Sequence, residues 1–190
     1  MRLGIIGKAG SGKDLLGKIL KEDYGFYALS MTGPLEKICR EKYGMKEKDR
    51  ALLNRVGNEE FQKDPYYLLR GIEEEIKSHG DQNIVLSGVR RPLEYAVLKD
   101  LGFSFLRVTS PPSLRKDRLE KRDGKKISLE AFALLESSSF ERDQDQFLAY
   151  NLENKGSIDD LKKGLEDFFK TQEDLKKAPI ENFKGLCQNK

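Results

Sequence analysis

Near the N-terminus, Gly7-Lys8-Ala9-Gly10-Ser11-Gly12-Lys13 carries the spacing GxxxxGK. It lies between an apolar run at 3–6 and a stretch of helical periodicity, Leu15, Leu16, Ile19 and Leu20. These residue types suit a single task, holding phosphate oxygens. Glycines let the backbone turn its N–H groups inward, the following helix offers its positive N-terminus, and Lys13 adds a compact charge. Lys8, Ala9, Gly10, Ser11, Gly12, Lys13 and Asp14 are therefore the candidate phosphate contacts. The position after the lysine holds Asp14, where such loops usually place a Ser or Thr whose hydroxyl ligates magnesium. A carboxylate also binds a hard cation through oxygen, but it adds negative charge beside the phosphates. It also suits the first turn of a helix, where it favours the dipole. Both readings of Asp14 stand.

A second group of candidates follows the apolar run at 84–86, in Ser87-Gly88-Val89-Arg90-Arg91-Pro92. Ligands of α/β sheets lie beyond the carboxyl ends of strands, so Arg90 and Arg91 are expected in the same crevice as the loop. Their forked guanidinium groups match phosphate oxygens. Ser87 and Gly88 stand where many such proteins carry a second magnesium-binding Asp. Farther on, Arg115, Arg118 and Arg122 share one face of a basic helical stretch at i, i+3 and i+7. Such a face suits charge spread over a phosphoryl group, provided that it closes over the site.

Charge supports a small anionic ligand. The chain as a whole is +3, but 107–126 holds eight basic residues against three acidic ones. A local cationic patch on a near-neutral protein favours a compact anion over a long polyanion. The patch also lacks the interleaved aromatics that stack bases, so no nucleic-acid partner is expected. His79 is the single histidine, which excludes zinc sites built from several imidazoles, and its place before Gly80 suits a helix end. Cys39 and Cys187 are far apart and without CxxC spacing, so both are expected as reduced thiols.

Positioning these groups requires an α/β sheet. The 190 residues, 37% of them hydrophobic, suit one domain. Strand-length runs at 3–6, 26–29, 84–86, 103–108 and 147–152 alternate with helical patterns, the sign of a parallel sheet with crossover helices. Gly33-Pro34 and Asp64-Pro65 each read as a cap followed by proline at the first helical position. Leu68, Leu69, Ile72 and Ile76 form one helical face that ends at His79-Gly80, and Ser157 opens a last helix through Leu161, Leu165 and Phe168. From 171 to 190 the pattern loosens into a C-terminal tail. No apolar run reaches the roughly 18 residues of a membrane span, and the start is too short for a signal peptide, so a cytoplasmic protein without a membrane partner is expected.

At this point the sequence resembles the P-loop nucleoside monophosphate kinases, and among them the phage-type deoxynucleoside monophosphate kinases. The resemblance spans 1–170. It rests on Gly12-Lys13-Asp14, on Leu29-Ser30-Met31-Thr32-Gly33-Pro34-Leu35, and on Leu52-Leu53-Asn54-Arg55-Val56-Gly57-Asn58-Glu59 with Asp64-Pro65-Tyr66-Tyr67. It rests further on Val89-Arg90 with Pro92 and Glu94. It implies a P-loop NTPase fold, with a five-stranded parallel sheet, helices on both faces and a small helical lid. A kinase domain would span 1–170, with an acceptor region at about 30–80 and a lid at about 109–143. ATP phosphates would lie on the loop with Mg²⁺ at Asp14. Lys13, Arg118 and Arg122 would be catalytic, and Arg55, Asp64, Tyr66 and Arg90 would face a nucleoside monophosphate. Ser87-Gly88-Val89-Arg90 is also similar to the strand end of dephospho-CoA kinase-like proteins, which leaves the acceptor open. A P-loop protein that binds nucleotide without efficient turnover is a further reading, because the strand-end Asp is missing. A GTP switch is not expected, since Asn154-Lys155-Gly156-Ser157 lacks the Asp of NKxD. A homodimer is compatible with all of these readings.

Overall fold

The computed structural model of the chain describes residues 1–177. Its centre is a parallel sheet of β1 (Arg2–Ile6), β2 (Tyr27–Ser30), β3 (Ile84–Ser87), β4 (Ser104–Thr109) and β5 (Tyr150–Glu153), in the order β2-β3-β1-β4-β5. The helices are α1 (Lys13–Tyr24), α2 (Gly33–Tyr43), α3 (Arg50–Lys63), α4 (Tyr67–Ser78), α5 (Pro92–Asp100), α6 (Pro112–Asp123), α7 (Leu129–Glu136), α8 (Ser139–Arg142) and α9 (Ile158–Lys177). A 3₁₀ turn, Asp143–Gln146, leads toward β5. The expected five-stranded α/β architecture is the one observed. Chain direction diverges at β1, with β3 on one side and β4 on the other. Such a switch point opens a crevice at the carboxyl ends of the strands.

Alternation along the strands divides the core between the two faces of the sheet. Leu3 and Ile5 of β1, Val85 of β3 and Leu106 and Val108 of β4 pack with α1 and α9. Ile6, Ile84, Leu86 and Phe105 face the opposite layer, built on α2 to α5. Gly4 permits a close approach across that second face. A Cβ there would lie 2.4 Å from the Phe105 ring. α9 closes the first face through Phe168, which is 1% exposed and packs against Tyr150 with ring centroids 5.2 Å apart.

Three expected boundaries are corrected. The run at 147–152 enters the sheet only at Tyr150, because Arg107 Nη2 of β4 donates to the carbonyls of Gln144 (2.7 Å) and Phe147 (2.5 Å) and holds that stretch in a turn. Phe147 instead stacks on Tyr95, at 4.5 Å. Asp64 does not begin the next helix. Its N–H closes α3 on Glu60 O and its carboxylate accepts from Tyr66 N, so α4 starts at Tyr67. The helix expected to end before Thr171 continues to Lys177. The rest of the expected tail, from 178 onward and including Cys187, lies outside the described residues. Cys39 is buried and free, as expected. His79 does end α4, and its ring stacks on Tyr27 at 3.7 Å. No helix among the described residues is long and apolar enough to cross a membrane.

Phe168 lets the packing be tested. Phe168→Ala should destabilise the fold by about 3–5 kcal/mol, read as a lower midpoint in urea denaturation. A midpoint unchanged from wild type would mean that α9 does not secure this face of the sheet.

Candidate active site

The loop between β1 and α1 passes through left-handed backbone at Gly10 (φ 76°) and Gly12 (φ 105°). Both positions are also crowded. A Cβ at Gly10 would lie 2.6 Å from Arg115 O, and one at Gly12 would lie 2.3 Å from Asn154 Nδ2. Only glycine meets both demands.

The crowding groups are themselves the loop's partners. Asn154 Nδ2 donates to Ser11 O at 2.8 Å, and Arg118 Nη1 donates to Gly10 O and Ser11 O at 3.2 and 3.3 Å. Arg115 Nη1 reaches Ala9 O at 3.4 Å. Arg118 Nη2 also donates to Asn154 Oδ1 at 3.0 Å, which joins α6 to the end of β5 behind the loop. These carbonyls are thus bound by donors from α6 and from just past β5, while Ser11 N turns back to Lys8 O within the loop at 3.1 Å. Helix geometry contributes more donors. Leu16 N is the first to bond within α1, to Gly12 O, so the N–H groups of Lys13, Asp14 and Leu15 have no intrahelical acceptor. The Ser11 hydroxyl is buried with no hydrogen-bond partner, and a cavity of about 250 Å³ opens beside it toward Thr109, Ser110 and Arg115. These features fit a polyphosphate.

Lys13 turns back on the loop, donating from Nζ to Gly7 O (2.5 Å) and Lys8 O (3.0 Å). Burial pulls its pKa down to about 8, against the opposing pull of the Glu141 carboxylate, and the charges of Arg90 and Arg115 lower it further. Arg90 is thus close enough for its charge to act on Lys13. Asp14 is exposed in the first turn of α1. Among the described residues no cluster of three or more acidic, His or Cys side chains could hold a metal. For Mg²⁺, which takes much of its shell from phosphates and water, Asp14 is the carboxylate this loop offers. The strand-end positions are Ser87, the last residue of β3, and Gly88, at φ 88°, a backbone that favours glycine; neither supplies a carboxylate.

The expected arginine face on α6 divides by role. Arg115 is buried and forms a bidentate pair with Glu136, 2.6 Å at both oxygens, which keeps the Glu136 carboxyl below its usual range. Arg118 is committed to the loop. Arg122 pairs with its neighbour Asp123 at 2.7 and 2.8 Å, with Asp14 close enough to contribute to its raised pKa.

On the other side, Glu94 is buried and accepts the N–H groups of Arg90 (2.8 Å) and Arg91 (3.1 Å), fixing the start of α5. Burial raises its carboxyl pKa despite these bonds. Arg91 lies over the Phe61 ring at 3.7 Å and donates to Asn58. The other expected acceptor residues are engaged within the α2 to α4 region. Arg55 pairs with Glu59 at 3.2 Å and lies near the Tyr43 ring, Asp64 pairs with Arg70, and Tyr66 is 48% exposed.

Two residues that the sequence reading did not single out lie on the loop's inner donors. Glu141 Oε2 accepts from Ala9 N at 2.9 Å, and Gln144 Oε1 accepts from Gly7 N at 2.8 Å. No motif spacing marks either of them, and Asn154 stood out only for failing to complete a guanine motif.

Two outcomes test this geometry. Asn154→Ala removes the partner of a buried carbonyl and should cost about 1–3 kcal/mol in thermal or urea unfolding while weakening ATP binding. A stability and affinity equal to wild type would refute the outside clamp. Because Lys13 loses its proton around pH 8, affinity for metal-free ATP should fall on the order of tenfold between pH 7.5 and 9. Calorimetric titration should show that slope flattened in Lys13→Arg; an equal slope in both proteins would place the titrating group elsewhere.

The same architecture recurs in solved structures. The chain superimposes on TT1252 from Thermus thermophilus with a TM-score of 0.62 and 22% identity, over 90% of this chain and 97% of that one. For a gluconokinase from Sinorhizobium meliloti 1021 the values are 0.60 and 17%, over 92% and 94%. For a shikimate kinase from Aquifex aeolicus vf5 they are 0.55 and 13%, over 94% and 100%. At such identities the shared property is the fold. No curated protein matches the chain. Residues 3–148 match the AAA_18 family of AAA domains, and with the phosphate loop built as described the chain belongs to that family.

Proposed function

We propose that the protein transfers the γ-phosphoryl group of ATP to a (deoxy)nucleoside monophosphate, giving the diphosphate and ADP. The observation that carries this reading is the shared site of Lys13 and Arg90, one on the phosphate loop and one at the end of β3. One cation is placed for the donor and the other for an anionic acceptor. The acceptor region at about 30–80 supplies further cations and aromatic rings, with Arg91 over Phe61 and Arg55 beside Tyr43.

In this reading the loop N–H groups and Lys13 hold the ATP phosphates, and Lys13 must leave the Gly7 and Lys8 carbonyls to do so. Arg90 holds the acceptor phosphate in line. Arg122, once free of Asp123, is the arginine of α6 that can approach the moving group. Arg118 positions the loop, because its donors are already spent on loop carbonyls, Ser110 and Asn154. Transfer to an anionic phosphate requires no strong general base, so the protein's part is alignment and charge neutralisation. Magnesium, when bound, supplies further neutralisation of the phosphate oxygens, with Asp14 to hold it. A homodimer and a cytoplasmic location are compatible with this reading.

Ser87 and Gly88 favour a second reading, nucleotide binding without efficient turnover, because the carboxylate common at that strand end is absent. An assay of ADP formation from Mg-ATP distinguishes the two, using ribo- and deoxyribonucleoside monophosphates and dephospho-CoA as acceptors. Turnover with one monophosphate, abolished in Lys13→Ala, is the expected result. Arg90→Ala should raise the acceptor KM by on the order of tenfold or more and leave ATP affinity nearly unchanged. Turnover with dephospho-CoA alone would replace the acceptor class. ATP binding without turnover on any acceptor would establish the second reading.

A further inference from the structure

We propose that Glu141 and Gln144 form a displaceable plug of the phosphate loop, occupying positions that the phosphates of a bound nucleotide must take over. The inference rests on the reading of the loop as a nucleotide site. The Ala9 N–H, 2.9 Å from Glu141 Oε2, and the Gly7 N–H, 2.8 Å from Gln144 Oε1, are donors of the kind a phosphate-binding loop offers its ligand. A carboxylate oxygen at that distance makes the same charge-assisted bond that a phosphate oxygen would make. Both side chains are sequestered to do so, Glu141 at 6% and Gln144 at 3% exposure.

The contact is self-consistent in charge. Glu141 is the anion acting most strongly on Lys13, so in the resting protein the loop's cation is balanced by a side chain of the same chain. A polyphosphate entering beside Glu141 would bring like charges together in a partly desolvated site, an arrangement that repels strongly. Ligand and plug therefore compete for one set of donors and one cation.

The plug is carried on a segment with its own fastening. Arg107 Nη2 bonds the carbonyls of Gln144 and Phe147 at either end of the turn, and Lys8 pairs with Asp145 at 3.2 Å. That ion pair ties the loop itself to the segment, so expelling the plug frees Lys8 as well as the two N–H groups. Glu141 lies at the end of the 109–143 region expected to act as a lid, with Gln144 just beyond it, and displacement of Glu141 links arrival of nucleotide to release of that end.

Calorimetric titration of metal-free ATP and of inorganic pyrophosphate tests the plug. The proteins compared are wild type, Glu141→Gln, the double variant Glu141→Ala with Gln144→Ala, and Lys13→Ala as the control for the loop. Removal of a competing occupant should tighten pyrophosphate binding about tenfold or more in the double variant, since the binding-competent fraction rises. Glu141→Gln keeps the shape without the charge and should fall between the double variant and wild type. Unchanged or weaker binding in variants that retain a cooperative melting transition overturns the plug and leaves the nucleotide site standing. Should no protein, the double variant included, bind either ligand, the nucleotide reading fails and the plug fails with it. Hydrogen exchange in the unmutated protein guards against variants that do not fold. Amides of Glu141 and Phe147, bonded to Ser138 O and Gln144 O, should lose protection when pyrophosphate binds. Protection that stays constant or rises overturns the proposal.

Discussion

A loop that offers its N–H groups to a ligand must find other partners for its carbonyls, and most of this site follows from that need. Buried carbonyls without donors are costly. Here the donors come from two elements remote in sequence, Arg115 and Arg118 on α6 and Asn154 just past β5. The loop's shape is thus a tertiary property. It depends on β4 and β5 being laid beside β1 in the order that brings both following segments to the same end of the sheet. Gly10 and Gly12 are the points where these donors press closest, so glycine serves the packing behind the loop as much as the ligand before it.

Burial then determines the electrostatics. Lys13, Arg115 and Glu141 are withdrawn from water within a few residues' reach of one another, and each has its counterpart: loop carbonyls, Glu136 and loop N–H groups. Breaking one such pair leaves an uncompensated charge, which costs far more than an exposed ion pair returns. The cationic segment at 107–126 is correspondingly less free than its composition implies. Lys116 and Lys126 both pair with Glu120, Arg122 pairs with Asp123, and Arg115 with Glu136. What remains open to a ligand is the loop end of the sheet, and not a broad basic surface.

The features legible in the sequence are those written in local spacing. GxxxxGK between an apolar run and a helical repeat located the loop, and alternating strands with helices determined the sheet, because period and turn chemistry are local properties. The position of Arg90 just past β3 was also legible, since the carboxyl end of a strand is a place that topology assigns. Glu141, Gln144, Asn154 and Glu136 were not. Each meets its partner across 21 to 143 residues, and a glutamate or asparagine that will be buried looks in sequence like one that will be solvated. The start of β5 was misplaced for the same reason. Phe147 has a strand former's side chain, but the Arg107 guanidinium on its carbonyl holds it outside the ladder.

The strand-end carboxylate shows how such substitutions constrain one another. Of the two strand-end positions, Gly88 has a left-handed backbone that a carboxylate residue would strain, whereas Ser87 ends β3 in ordinary strand backbone just before the turn into Arg90. That turn is anchored by buried Glu94, which accepts the N–H groups of both Arg90 and Arg91. The backbone that carries Arg90 is therefore fixed by a buried acid of α5 and, at Gly88, by a conformation that favours glycine. The loop's own carboxylate, Asp14, lies on the first turn of α1, where the helix dipole already favours negative charge. Glu141, by contrast, is held by the Ala9 N–H, and its charge acts on Lys13. Lys13, Glu141 and the loop's N–H and carbonyl groups thus form one small set of mutually balanced charges and donors.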